Sequence, residues 1–127
     1  MILRRVFSLS ICLLLVSFTM PDKLKKKVKK EITKTFDIKE FKLSSVVVVD
    51  SVNQKLSQKV KENHFFKIEK NDSIIGYAFV DKAPSKTDEF DYLILLDKNL
   101  IIAKTKVLIY REDYGGEIGS KRWLKQF

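Results

Sequence analysis

The feature that most restricts this fold lies between His64 and Tyr110. β-Branched and aromatic residues recur there with a period close to two in four closely spaced runs: His64–Glu69 (HFFKIE), Ser73–Val80 (SIIGYAFV), Glu89–Leu96 (EFDYLILL) and Leu100–Tyr110 (LIIAKTKVLIY). A period of two puts alternate side chains on opposite faces of a strand, so each run can seat one face on a core. The connections Asn71-Asp72 and Asp97-Lys98-Asn99 are too short for a crossover. Their residue types tolerate positive φ and bond their own backbone, which is hairpin chemistry. The expectation is an antiparallel β-meander of about four strands, within an α+β domain.

Helices are expected on either side of it. From Pro21 to Phe36, Leu24, Val28, Ile32 and Phe36 recur every fourth residue between lysines, a narrow apolar stripe on a helix. Such a stripe can rest on a membrane surface or on the sheet, and the second is favoured here. Ser44–Ser51 (SSVVVVDS) is apolar on both faces and predicts a short buried strand. Val52, Leu56 and Val60 predict a short amphipathic helix ended by Asn63, and Ser120–Gln126 a last helix of about two turns.

Charge narrows the choice of partners. The net charge is +9, and residues 22–42 hold nine lysines against Asp22, Glu31, Asp37 and Glu40. Nucleic-acid surfaces interleave aromatics with basic groups, and this stretch offers only Phe36 and Phe41, so nucleic acid is not an expected partner. A membrane surface met through residues 1–42 is. Arg4 and Arg5 precede the uncharged run Val6–Met20, whose 15 residues suit an export signal of about 7–15 better than a bilayer span of about 20. The segment is a signal peptide or a short anchor. It places the protein outside the cytoplasm, periplasmic or membrane-anchored. Cys12 is the only cysteine, and Ile11 is too bulky for the residue before a lipidated cysteine, so lipidation is not expected. The expected organisation is residues 1–20 as signal or anchor, 21–44 as a basic helical segment and 45–127 as the folded domain.

The rest of the chain offers little catalytic chemistry. His64 is the only histidine and reads as structural, and beyond residue 20 no cysteine remains for a disulfide or a thiolate metal site. Phosphate-loop and nucleophile-elbow motifs are absent. No catalytic residue and no metal site are expected.

The last stretch, Tyr110–Phe127 (YREDYGGEIGSKRWLKQF), is different. Gly115 and Gly116 can take backbone angles closed to other residues, and Gly119 allows close approach to the main chain. Tyr114 and Trp123 offer ring faces, Arg111, Lys121 and Arg122 positive charge, and Glu112 and Glu117 hydrogen-bond acceptors. The plain alternative is a strand-to-helix turn whose Trp123, Leu124 and Phe127 dock onto the sheet.

The order of Ile75–Val80, Phe90–Asp97, Ile101–Tyr110 and this tail resembles the FMN-binding domain of the flavin-carrying subunits of Rnf- and Nqr-type electron-transport complexes and their small exported relatives. The resemblance covers roughly Val46 to Phe127 and is most specific at Tyr110-Arg111-Glu112, Gly115-Gly116-Glu117-Ile118 and Trp123, Gln126, Phe127. It implies an FMN-binding electron-transfer module rather than a stand-alone enzyme, with a redox partner protein. The cofactor-binding residues it implies are Arg111, Glu112, Tyr114, Gly115, Gly116, Glu117, Ile118, Gly119 and Trp123. The family's covalent-attachment motif, Ser/Asp-Gly-Ala-Thr/Ser-x-x-Thr/Ser, is not found in the 127 residues. Thr19, Thr33, Thr35, Thr87 and Thr105 lack its surroundings, so covalent attachment is not expected and the flavin domain is read as incomplete at its C-terminal side. The competing expectation is a small exported interaction domain on the membrane surface, without a cofactor.

Overall fold

The computed structural model describes residues 20–127. The expected export signal or anchor, and Cys12 within it, lie outside the described residues apart from Met20. Among the described residues, no helix is long and apolar enough to cross a membrane.

The chain forms helix α1 (Asp22–Phe36), strand β1 (Lys42–Ser45), the one-turn helix α2 (Asp50–Asn53), strands β2 (Phe65–Lys70), β3 (Ser73–Pro84), β4 (Glu89–Asp97) and β5 (Ile102–Ile109), a 3-10 turn at Gly116–Gly119 and the short helix α3 (Lys121–Leu124). The five strands make one antiparallel sheet in the order β1-β2-β3-β4-β5. This is the α+β meander that the alternation predicts, with one strand more. Asn71 and Asp72 both have positive φ, 51° and 62°, as a two-residue hairpin between β2 and β3 requires. At the β4–β5 turn Asp97 Oδ1 accepts from the backbone N–H of Asn99 (2.8 Å) and Ile101 (3.0 Å).

α1 settles where the apolar stripe goes. Asp22 in its first turn complements the helix dipole, and Asp37, at φ 52°, ends it in a left-handed turn. Leu24, Val28 and Ile32 are buried against one face of the sheet, among Phe66, Ile68, Ala78, Val80, Leu93, Leu95 and Leu108. Lys27 Nζ donates to the Leu108 carbonyl oxygen at 2.9 Å, fixing the helix over β5. The close seating of Phe36 needs Gly76: a Cβ there would lie 2.9 Å from the Phe36 ring and 2.5 Å from the Leu96 carbonyl oxygen.

Two expectations for residues 44–63 are corrected. The valine run is not a buried strand. β1 ends at Ser45, and Val46 N–H still donates to the Phe65 oxygen at 2.8 Å, but β2 starts at Phe65 and gives later residues no backbone partner. Val47 and Val49 are consequently 71% and 59% exposed. The helix expected over Val52–Val60 stops after one turn, because the Asn53 side chain bonds Val60 from both ends. Its Oδ1 accepts from Val60 N–H at 2.8 Å and its Nδ2 donates to the Val60 oxygen at 3.0 Å. A side chain that serves the backbone in this way competes with helix continuation.

Candidate functional site

The face of the sheet opposite α1 is aromatic. Ring contacts run from Tyr77 to Phe65 (5.5 Å, stacked), then to Phe79 (6.5 Å), Tyr92 (6.1 Å), Phe90 (6.2 Å) and Tyr110 (6.4 Å). The period of two puts these side chains on one face because their partners in β2, β3 and β4, Phe66, Ala78, Val80 and Leu93, point to the core. The phenol of Tyr92 is held above its ordinary pKa, first by burial and then by the Asp81 carboxylate, with the Gln58 amide acting against them. His64 Nδ1 lies 3.2 Å from Asp81 Oδ1 without a hydrogen bond between them.

The tail returns over this face at its β4–β5 end, tied to the rest of the fold by Arg111 and Glu112 and, further along, by Thr105. Arg111 Nη1 donates to Glu89 O (2.9 Å) and to the buried Asp91 Oδ1 (3.0 Å), and the Asp91 bond raises the guanidinium pKa further. Glu112 Oε1 accepts from Thr87 N–H and Thr87 Oγ1, both at 2.7 Å, and from Ser85 Oγ at 3.0 Å, which ties the tail to the β3–β4 turn. Those bonds, the Thr87 hydroxyl first and its N–H second, hold the Glu112 carboxyl below its ordinary pKa. Tyr110 Oη donates to the Tyr114 oxygen at 2.5 Å. Desolvation, then the nearby Glu112, Glu117 and Tyr114, raise the Tyr110 phenol pKa.

Further along, Gly115 turns the chain at φ 75°, a left-handed angle that suits glycine, and a Cβ there would lie 2.8 Å from Tyr110 Oη. Ser120 caps α3 by accepting from Trp123 N–H at 3.2 Å, and Thr105 Oγ1 on β5 donates to the Leu124 oxygen at 3.0 Å. This last bond seats α3 on the sheet. Trp123 and Phe127 meet edge to face at 5.7 Å.

Sheet and tail together form an open groove of about 730 Å³, whose tail-side Tyr114, Trp123 and Phe127 remain largely exposed. That lies within the roughly 300–1,000 Å³ of small-molecule sites. Its sheet wall is Phe90, Tyr92, Ile94 and Val107, and its tail wall is Tyr114, Ile118, Trp123 and Phe127. Lys86, Lys106 and Glu112 add charge, and Ser85 and Thr105 hydroxyls, to a largely apolar lining. The Lys86 ammonium sits 5.7 Å from the centre of the Tyr114 ring, a cation–π contact. A smaller cleft of about 410 Å³ beside it is lined by residues that include Ile102, Lys104, Gly119, Lys121 and Phe127.

The nine site residues named from sequence are thus divided. Glu112, Tyr114, Gly115, Ile118 and Trp123 line the cavity, and Gly119 lines the neighbouring cleft. Arg111, Gly116 and Glu117 line neither. Arg111 is engaged with Asp91, and a Cβ at Gly116 would meet nothing within 4 Å. Sequence reading missed Lys86 and the sheet wall of Phe90 and Tyr92. Phe90 and Tyr92 were detectable as an i, i+2 aromatic pair sharing one face. Among the described residues no group of three or more His, Cys, Asp or Glu could hold a metal ion.

Compared with protein-family models, with curated proteins and with solved structures, the chain has no match in any of the three.

Proposed function

We propose that this protein is an exported, FMN-binding module of electron-transfer type, holding the flavin reversibly between the sheet and the returning tail. The observation that carries the reading is a coincidence of two features. The segment that resembles the FMN-binding family, Tyr110–Phe127, is also the segment that forms one wall of an aromatic-lined groove over β4 and β5.

The lining suits such a ligand chemically. Phe90, Tyr92 and Trp123 would hold a flat, largely apolar ring system, and Lys86 and Lys106 would meet the phosphate. Bound flavin supplies one- and two-electron transfer, while the protein supplies position and electrostatics. Glu112 and Arg111 act in this reading by fixing the tail, through Thr87 and Asp91 respectively. Export rests on Arg4, Arg5 and the uncharged Val6–Met20 run.

The test is equilibrium dialysis of the full chain against FMN and against riboflavin. FMN should be retained and should bind more tightly than riboflavin, and the K86Q/K106Q variant should lose that advantage while still binding riboflavin. Absence of retained FMN at millimolar concentration would refute the reading.

A further inference from the structure

We infer that the outward face of α1 docks the domain on an anionic lipid bilayer by charge alone, with the aromatic cavity turned away from the membrane. The inference is independent of what the cavity binds.

Burial divides α1 into two faces. Leu24, Val28 and Ile32 are consumed by the sheet, so the helix has no apolar stripe left to insert between lipids. What it presents instead is Lys23, Lys26, Lys29, Lys30 and Lys34, all exposed. The ion pairs of the described residues engage none of the five. Glu31, the one acidic residue within the helix beyond its first turn, is buried, so it does not interrupt that face. A 15-residue helix is about 22 Å long, and the lysines are spread along it rather than gathered at one end. That is the form of a contact with a flat, anionic surface, not with a single phosphate.

Continuity with the N-terminal sequence favours a bilayer over other polyanions. The uncharged run Val6–Met20 leads directly into Pro21 and α1, and Met20 packs against the core at the helix's start. Whatever holds that apolar run at a membrane delivers the lysine face to the headgroups. Because α1 covers one face of the sheet and the tail borders the cavity on the other, docking through α1 leaves the cavity facing the aqueous side.

The experiment measures partitioning of the full chain onto phosphatidylcholine vesicles with and without phosphatidylserine, at physiological ionic strength. The apolar run contributes equally to both, so the ratio of the two partition coefficients isolates the charge. Each headgroup-level lysine is worth about fivefold in partitioning. The variant K23Q/K26Q/K29Q/K30Q/K34Q should therefore lower the ratio by at least about a hundredfold. A control of equal charge change on exposed lysines elsewhere, K55Q/K59Q/K61Q/K70Q/K98Q, should leave most of the ratio intact. Single K26Q and K30Q variants, each expected to lower it by about fivefold, keep the test open should the quintuple variant fold poorly. Equal losses in the two quintuple variants, a ratio near one for the wild type, or tighter binding to duplex DNA than to anionic vesicles at the same salt would each overturn the inference.

Discussion

Replacing Gly76 with alanine tests how the helix, the sheet and therefore the cavity wall are held in register. Gly76 is buried on β3, between Ile68 on β2 and Asp97 on β4. The added methyl would stand 2.5 Å from the Leu96 carbonyl oxygen and 2.9 Å from Phe36 Cζ. The Phe36 ring can rotate aside, but the carbonyl belongs to a strand paired on both sides and moves only with it. Overpacking of this kind costs about 1–3 kcal/mol, and a backbone obstacle puts the cost in the upper part of that range. Alanine recovers about 0.4–1 kcal/mol by restricting the unfolded chain, leaving a net destabilisation of about 2 kcal/mol. For a domain of about a hundred residues that corresponds to a fall of about 8–10 °C in Tm. Thermal unfolding followed by far-UV circular dichroism measures it directly. A G76A Tm equal to or above that of the wild type would refute the close seating of Phe36 and β4 on Gly76.

Other substitutions separate the remaining parts of the account. Ile32→Ala, at a residue with 0% exposure, should destabilise by about 2–5 kcal/mol in a denaturant titration. G115A should destabilise the tail, since φ there is 75°, whereas G116A, with open space around its Cβ, should leave Tm unchanged or slightly raised. The Glu112 carboxyl titrates below the usual 4.5, so its contribution to stability is fully present above that pH and is lost as pH falls through the folded-state value. The stability deficit of E112Q, measured by urea unfolding across a pH series, should therefore be constant above about pH 5.5 and shrink below 4.5.

The meander and α1 were legible because each depends on a local periodicity that burial then uses. The β2–β3 turn and the apolar stripe of α1 follow from residues close in sequence, Asn71-Asp72 and Leu24-Val28-Ile32, whereas the seat of the helix on the sheet is set by the distant Gly76 and Leu108. Residues 44–63 were misread because their fate depends on distant partners. The valines have strand propensity, but β2 begins too late to pair with them, and the Asn53–Val60 bonds end a helix that its apolar spacing favoured. Strand Lys42–Ser45 was overlooked for the same reason, since its four residues gain order only by pairing with β2.

The candidate site shows the same division. Tyr110–Phe127 was conspicuous by composition, but which of its side chains face a cavity depends on what they meet across the fold. Arg111 looked like a ligand-binding cation, yet Asp91, twenty residues earlier, claims its guanidinium. Glu112 is turned toward Thr87 by a turn that nothing near it in sequence specifies. Lys86 went unnoticed because only the folded β3–β4 turn brings it to Tyr114.

Trp123 is the only tryptophan of the chain and lines the cavity, so its emission reports directly on occupancy. Flavin binding between sheet and tail is read out by titrating the full chain with FMN, following tryptophan and flavin emission together. Both should fall along one saturable curve, and Y92A should shift that curve to higher FMN concentration. Trp123 emission that changes no more than free tryptophan in the same FMN solutions, up to millimolar flavin, would contradict such binding.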